Sequence, residues 1–229
     1  MLYNFVDKYL MNNFSDLIIN HLDDKSTENL TVFDIGCFKG NFSRSLKHKI
    51  KKDINFFLFD PNPNLKIKDF SYHKIAFSDK SGSEDYFLNN NFPSSGSSLK
   101  TVVKNDWLWN LTRRIITLKF SSGFSNFQVK TDTLDSFCKK NNVNKIDILK
   151  IDVECAELDV LAGGNDILKY TNIIQIEIMD SKKNFDKKYQ DVVNVLENYN
   201  FKLIYKKSAW STGILSKIKA LDALFVKSK

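Results

Sequence analysis

Three short stretches of the 229-residue chain carry residues whose types and spacing could do chemistry. The first is Val32-Phe33-Asp34-Ile35-Gly36-Cys37-Phe38-Lys39-Gly40-Asn41-Phe42, where an apolar strand ends in Asp-x-Gly and a helix begins after a second glycine. Gly36 can adopt backbone angles that other residues resist and can let a ligand approach the main chain. The helix that follows offers free N–H groups and the positive end of its dipole. The spacing is not the G-x-G-x-x-G of a dinucleotide site, and no Gly-Lys-Ser/Thr follows to make a phosphate loop. Such a turn suits a ligand with an amino-acid tail and a nucleoside. The second stretch is Phe57-Leu58-Phe59-Asp60, with an acid closing the next strand 20 positions after Gly40. An isolated Asp before Pro61 reads as a turn residue. Paired with the glycine turn at this separation, it is placed to accept hydrogen bonds from ribose hydroxyls.

The third stretch is Asp147-Ile148-Leu149-Lys150-Ile151-Asp152-Val153-Glu154-Cys155-Ala156-Glu157. Strand alternation sends Asp152 and Glu154 off the carboxyl end of a strand on one side. Open α/β sheets bind their ligands at that end. Glu177, in Ile174-Gln175-Ile176-Glu177-Ile178, ends the following strand at the same rim. Carboxylates inside apolar runs are costly unless they are paired or used. Glu157 instead reads as the start of a helix, where its charge suits the dipole. A neutral hydroxyl is a poor nucleophile and needs a base within hydrogen-bond reach, for which Glu154 and Asp152 are the first candidates and His73 the second. Cys37 has no evident histidine partner and reads as a small packing residue. No Asp-Asn pair follows the fifth strand, and no metal is expected.

These residues require a sheet to position them. Apolar runs at Leu30–Ile35, Ile54–Phe59, Tyr72–Phe77, Ile146–Val153 and Ile173–Met179 read as strands. Helical patterns lie at Phe42–Ile50, at Ala156–Leu168 broken by Gly163-Gly164, and at Tyr189–Tyr199. Continuous apolar strands alternating with helices predict a parallel sheet covered on both faces. The closing runs Phe201–Tyr205 and Ala223–Val226 are joined only by Trp210, Gly213 and a short Ile214–Ala220 piece. The last strand is therefore expected to return antiparallel near the edge of six parallel strands. Val6, Leu10, Phe14, Leu17 and Ile18 have helical spacing, so residues 1–29 read as a helical cap. The whole chain, 1–229, reads as a single domain.

Residues 83–128 break the alternation. They hold Ser94-Ser95-Gly96-Ser97-Ser98, Trp107-Leu108-Trp109 and Arg113-Arg114-Ile115-Ile116. Insertions of this length are often functional lids. Two readings stand, a helical excursion packed on the core and a lid over an acceptor pocket. In the second, Trp107 and Trp109 stack on sugar faces and serines such as Ser97 bond hydroxyls.

The formal net charge is +7, but 31 of the 34 basic residues are lysines and only Arg44, Arg113 and Arg114 are arginines. Readers of nucleic acid depend on arginine for bidentate contacts. Lysine here travels with Asn, Phe and Ile, as AT-rich coding would give, so nucleic acid is not the expected partner. Three widely spaced cysteines suit reduced thiols in a cytoplasmic protein. No apolar stretch approaches the ~18 residues of a transmembrane helix. Asp7 and Lys8 interrupt the N-terminus too early for a signal peptide.

Taken together, the motifs resemble those of the FkbM-type S-adenosylmethionine-dependent methyltransferases. The matching pieces are Phe33-Asp34-Ile35-Gly36 with Gly40-Asn41-Phe42, Asp60-Pro61, Ala76-Phe77-Ser78-Asp79 with Gly82, Ser95 to Leu99, Thr133-Leu134-Asp135, Leu149 to Glu154, and Ile176-Glu177. They span roughly residues 30 to 180, and the closing Asp222-to-Val226 strand also fits. The chain departs from the family pattern at Cys155, where the family usually carries glycine after the motif's glutamate.

The resemblance implies a Rossmann-like class I methyltransferase fold, α/β, with a seven-stranded, mostly parallel sheet and helices on both faces. It implies S-adenosylmethionine as cofactor and methyl transfer to a hydroxyl of a glycan or small metabolite. By position, Asp34 and Gly36 would hold the methionine end, with Cys37, Phe38, Gly40 and Asn41 of the same turn lining the cofactor. Asp60, beside Pro61, would hold the ribose, and Ala76 and Phe77 would flank the adenine. Asp152 and Glu154 would face the methyl group and acceptor, with Glu177 on the acceptor side.

Rival readings are an RNA methyltransferase, suggested by the charge and the Trp107, Trp109, Arg113, Arg114 cluster, a nucleotide-binding dehydrogenase, and a non-catalytic protein that keeps the fold. No Asn/Asp-Pro-Pro-Tyr/Phe motif follows the fourth strand to support methylation of an amine. A dehydrogenase would need the third glycine and a Tyr-x-x-x-Lys pair. A scaffold has no need of Asp34, Gly36, Asp60 and Asp152 together.

Overall fold

Nine-residue and shorter apolar segments alternate with amphipathic ones along the chain, and the computed structural model, which describes residues 14–22, 29–91, 96–108, 110, 111, 115, 123–208 and 217–228, turns that alternation into two sheets. A helix over residues 14–20 (α1) precedes β1 (Leu30–Ile35), α2 (Asn41–Lys49), β2 (Ile54–Phe59), β3 (Ser71–His73) and β4 (Ala76–Phe77). Then come β5 (Gly82–Asn89), β6 (Phe124–Asp132), α3 (Leu134–Lys140), β7 (Ile146–Ile151) and α4 (Glu157–Ala162). A 3₁₀ turn at Ile167–Tyr170 leads to β8 (Thr171–Ser181), α5 (Phe185–Asn198), β9 (Phe201–Ser208) and β10 (Ile218–Lys227).

The main sheet has seven strands in the order β3-β2-β1-β7-β8-β10-β9. Neighbours from β3 through β8 pair parallel. β10 runs antiparallel to both β8 and β9, which makes β9 parallel to β8. Six parallel strands and one antiparallel strand next to the edge are what the alternation predicts.

Strand parity divides the core. Phe33 and Ile35 of β1, Leu149 and Ile151 of β7, Ile174 and Ile176 of β8 and Phe225 of β10 point to one face, under Phe137 of α3, Val160 of α4 and Val192 of α5. Val32, Ile148, Ile173 and Leu224 point to the other, under Phe14 and Ile18 of α1 and Phe42 and Leu46 of α2. The Phe14 ring of α1 meets Tyr205 edge-on at 5.4 Å; most of the expected N-terminal cap, residues 1–13 and 23–28, lies outside the described residues, as do Trp210 and Gly213.

Two expectations need correction. The apolar run Tyr72–Phe77 is not one strand. Its first part extends the main sheet as β3, and a tight turn, with the Ile75 N–H donating to the His73 carbonyl at 3.0 Å, sends Ala76–Phe77 into a second sheet of order β4-β6-β5. Nor is the 83–128 excursion helical in its arms. β5 and β6 pair antiparallel from Gly82↔Thr131 to Asn89↔Phe124, and the alternating burial of β6 is that of a strand with one solvated face. Among the described residues of the excursion, helix occurs at positions 107, 108, 110, 111 and 115.

Phe137 stands at the centre of an aromatic cluster, with ring centroids 4.8 Å from Phe59, 5.8 Å from Phe33, 5.8 Å from Phe77 and 5.0 Å from His73. Phe137→Ala is expected to cost about 3–5 kcal/mol of stability, measured by urea denaturation. A cost below about 1 kcal/mol would mean that this face does not depend on the cluster.

Candidate active site

The pairing register sets the site. Ile35 of β1 is level with Phe59 of β2 and with Ile151 of β7, and Ile151 is level with Ile176 of β8. The next positions along these strands are Asp60, Gly36, Asp152 and Glu177, and Glu177 is paired with Asp222 of β10. The residues singled out from three separate motifs thus lie side by side at the carboxyl edge of the sheet.

Gly36 has φ 72° and turns the chain out of β1. A Cβ there would lie 1.7 Å from the Asp152 carbonyl oxygen, so the glycine is required by the approach of two backbones. That closeness seats the turn on the end of β7, where the Asp152 N–H donates to the Ile35 carbonyl at 3.0 Å. Phe38 (φ 45°) and Gly40 (φ 73°) are also left-handed. Asp60 fixes this turn to β2: one carboxylate oxygen accepts the Phe38 N–H at 2.9 Å and the other the Asn62 N–H at 2.9 Å. Burial pushes the Asp60 carboxyl up to about 6, against the pull of those two N–H groups. The Tyr72 hydroxyl donates to the Asp60 carbonyl at 3.0 Å. Cys37 is buried, which raises its thiol well above the usual range, and it acts as the small packing residue the sequence suggests.

Asp34 lies two positions below Gly36 and is fully buried. It accepts the Ser43 hydroxyl of α2 at 2.7 Å and faces the ammonium of Lys150 at 3.4 Å. Lys150 in turn bonds Asp152 at 3.1 Å. Asp34 therefore acts beneath the turn, joining β1, α2 and β7.

Above it the carboxylate oxygens of Asp152, Glu154 and Glu177 come within 4.8 Å of one another. Hard oxygen donors so placed are the kind a divalent cation takes. In this structure Lys150 answers part of that charge. Burial, and then the charges of Asp152, Glu154 and Asp222, hold the Glu177 carboxyl well above its ordinary value.

Glu154 is buried and its Oε1 accepts the Gly96 N–H at 2.8 Å, while the Ser98 hydroxyl donates to the Val153 carbonyl at 3.2 Å. The excursion is thus bound to the carboxylate rim. The Ser97 hydroxyl accepts the Asn89 N–H at 3.0 Å and so braces the excursion. Trp107 is 62% exposed. Trp109 lies outside the described residues.

Two expected site residues are placed elsewhere. Phe77 is in the aromatic core, 4.8 Å from Phe59, because β4 turns its ring inward; alternation leaves Ala76 on the opposite face. His73 stacks on Phe59 at 5.2 Å and 23°, bonds Ser71 at 3.1 Å, and has its pKa lowered by burial; its ring contacts are aromatic, and none is with Glu154 or Asp152. Sequence reasoning missed Lys150 and Tyr86. Tyr86 is buried, and the charges of Asp60 and Glu154 help burial to raise its hydroxyl. Lys150 carries a signal that could have found it, a charge within an apolar strand.

The family model of the methyltransferase FkbM domain matches residues 34–203. The chain belongs to the FkbM methyltransferase family. Methyltransferases of this family use S-adenosylmethionine, and the match takes in β2, β7 and β8 and the last two residues of β1. The 2-O-methyltransferase NoeI of Sinorhizobium fredii (strain NBRC 101917 / NGR234) is 27% identical over 169 residues, which cover 66% of this chain. The chain spans 64% of that relative's length. Among solved structures, a methyltransferase FkbM from Methylobacillus flagellatus KT is similar with a TM-score of 0.49 and 11% identity, over 88% of this chain and 45% of that one. A magnesium protoporphyrin IX methyltransferase (ChlM) from Synechocystis PCC 6803 with bound SAM gives a TM-score of 0.48 and 10% identity, over 97% and 80%. Among the described residues no helix is long and apolar enough to cross a membrane.

The raised Glu177 carboxyl has a pH signature. Its folded pKa is raised, so the stability it contributes is full below the unfolded value of about 4.3 and is lost as pH rises through the folded value. Glu177→Gln keeps a donor for Asp152 without the proton to lose. Urea denaturation should show the variant gaining on the wild type between pH 5 and pH 8, by up to about 1.4 kcal/mol per pH unit. A difference that does not change with pH would contradict a raised Glu177 carboxyl.

Proposed function

We propose that this chain transfers a methyl group from S-adenosylmethionine to a hydroxyl of a glycan or related sugar. The observation that carries the reading is the row Asp60, Gly36, Asp152, Glu177 at the sheet edge, with Glu154 just beyond it. The residues suit the cofactor. Each Asp60 oxygen accepts one backbone N–H and keeps a lone pair for a ribose hydroxyl. The left-handed turn Gly36–Gly40 would hold the methionine end, with Cys37, Phe38 and Asn41 around it and Asp34 anchoring it from beneath. Pro61 and Ala76 would border the nucleoside. When bound, the cofactor supplies a methyl group carried on a cationic sulfur.

The chain's own groups then have defined tasks. Asp152, Glu154 and Asp222 make the rim anionic, which suits a cation, while Lys150 keeps Asp152 in place. Glu154 accepts the proton of the acceptor hydroxyl on its carboxylate, and the Gly96 N–H fixes that side chain. Alignment of acceptor and donor supplies much of the rate in such a displacement. Trp107, exposed on the excursion, offers a face to a sugar ring. Transfer to an oxygen draws support from the relative named a 2-O-methyltransferase. Three free thiols, Cys37, Cys138 and Cys155, suit a cytoplasmic setting.

The test is transfer of label from tritiated S-adenosylmethionine to separated glycan, lipid and RNA fractions, by wild type and by Glu154→Gln. Label should enter glycan. The variant should lose 10²–10⁴-fold in kcat, on the order expected of a general base, with cofactor affinity unchanged. Label confined to RNA would overturn the acceptor, and full activity in Glu154→Gln would remove it as the base.

A further inference from the structure

The turn that carries Glu154 has an unusual backbone. Glu154 has φ 53° and Cys155 φ 87°, two consecutive non-glycine residues in the left-handed region. L side chains resist that region, and glycine is the residue that takes it freely. Cys155 is also buried against Val103, Met179, Ile218 and Ala220, so it cannot relax toward solvent. Something must hold the turn.

A buried ion pair from the helices beneath does so. Lys188 of α5 and Glu157 of α4 meet at 2.5 Å, both almost inaccessible. The Lys188 ammonium donates to the Cys155 carbonyl at 2.7 Å and to the Met179 carbonyl of β8 at 2.9 Å. Glu157 Oε1 accepts the Cys155 N–H at 2.8 Å. Both polar groups of the Cys155 main chain are therefore gripped, one by each member of the pair, and the grip ties the turn to β8.

We propose that the Lys188–Glu157 pair is a positioning device that locks the left-handed Glu154–Cys155 turn and so aims the Glu154 carboxylate at the acceptor. Lys188 is a positioning residue, since it acts through the turn. The inference rests on the reading of Glu154 as the base. It accounts for a cysteine at a position whose backbone suits glycine: the clamp supplies the restraint that the side chain resists.

The test uses Lys188→Met combined with Glu157→Gln, which neutralises both charges at similar volume and leaves an amide oxygen for the Cys155 N–H. Three readings are taken: kcat and KM for acceptor, calorimetric affinity for S-adenosylhomocysteine, and hydrogen exchange of the Gly96 amide, which Glu154 protects. Expected are a fall in kcat of about tenfold or more, cofactor affinity within about twofold of wild type, and faster exchange at Gly96. Adding Cys155→Gly should restore most of both losses. Unchanged kcat and unchanged Gly96 exchange, or no rescue by glycine, would overturn the proposal. Should the double variant fail to fold, Lys188→Arg keeps the charge against Glu157 but cannot seat one ammonium between both carbonyls. It should show the same pattern, and wild-type behaviour would overturn the proposal. If Glu154→Gln itself retains full turnover, the reading of the base fails; if Glu154→Gln is inactive while the Lys188 variants are normal, only the positioning role fails.

Discussion

The ammonium of Lys150 is buried on a face of the main sheet, 3.4 Å from Asp34 and 3.1 Å from Asp152, and the arrangement of the carboxyl rim depends on it. A buried lysine is tolerated only when its charge is answered, and removing one partner of such a pair typically costs about 3–5 kcal/mol. Here the pairing does positional work. Asp34 holds Ser43 at the start of α2, and Asp152 ends β7 against the glycine turn, so one cation fixes the ends of β1 and β7 and the helix between β1 and β2. The rim above remains rich in carboxylates. Burial and that excess of negative charge hold the Glu177 carboxyl well above its ordinary value. The result is an anionic edge with a fixed geometry, suited to a cationic donor and to a carboxylate that takes up a proton.

Much of this was legible in the sequence because strand ends are. A motif residue that directly follows an apolar run sits at the sheet edge, and parallel register places such ends side by side. Asp60, Gly36 and Asp152 directly follow their strands, whereas β8 runs on past Glu177 to Ser181, so Glu177 does not end its strand as expected; the four still form one row. The direction of β10 was legible from the absence of a helix-length segment before it. The second sheet was not. β4 is two residues long, and the His73–Ala76 turn that separates it from β3 has no glycine to mark it. β5 and β6 are amphipathic hairpin arms of mixed polarity, whose pairing is set by contacts more than 30 residues apart.

Roles that depend on side-chain direction were the least legible. Phe77 and Ala76 are adjacent in sequence, yet alternation sends the ring into the core beside Phe59 and puts Ala76 on the opposite face. His73 reads as a possible base by type, but its strand turns it onto Phe59 and Phe137. Gly36 reads as room for a ligand, whereas that room is filled by the Asp152 carbonyl. Cys155 is the reverse case. Its departure from the family's glycine is visible in the sequence, and the structure gives the consequence, a left-handed cysteine held from below by Lys188 and Glu157. The excursion joins this turn from above through Gly96 and Ser98, so the second sheet and the acid at the rim are parts of one construction.

The central claim is that the row at the sheet edge is a seat for one S-adenosylmethionine with its ribose on Asp60. The most direct measurement is calorimetric titration of S-adenosylhomocysteine into the wild-type protein and into Asp60→Ala. The account predicts one ligand per chain and a loss of affinity of about tenfold or more in the variant, the worth of a hydrogen bond to a charged group. Absence of binding by the wild type, or equal affinity in the two proteins, would contradict it.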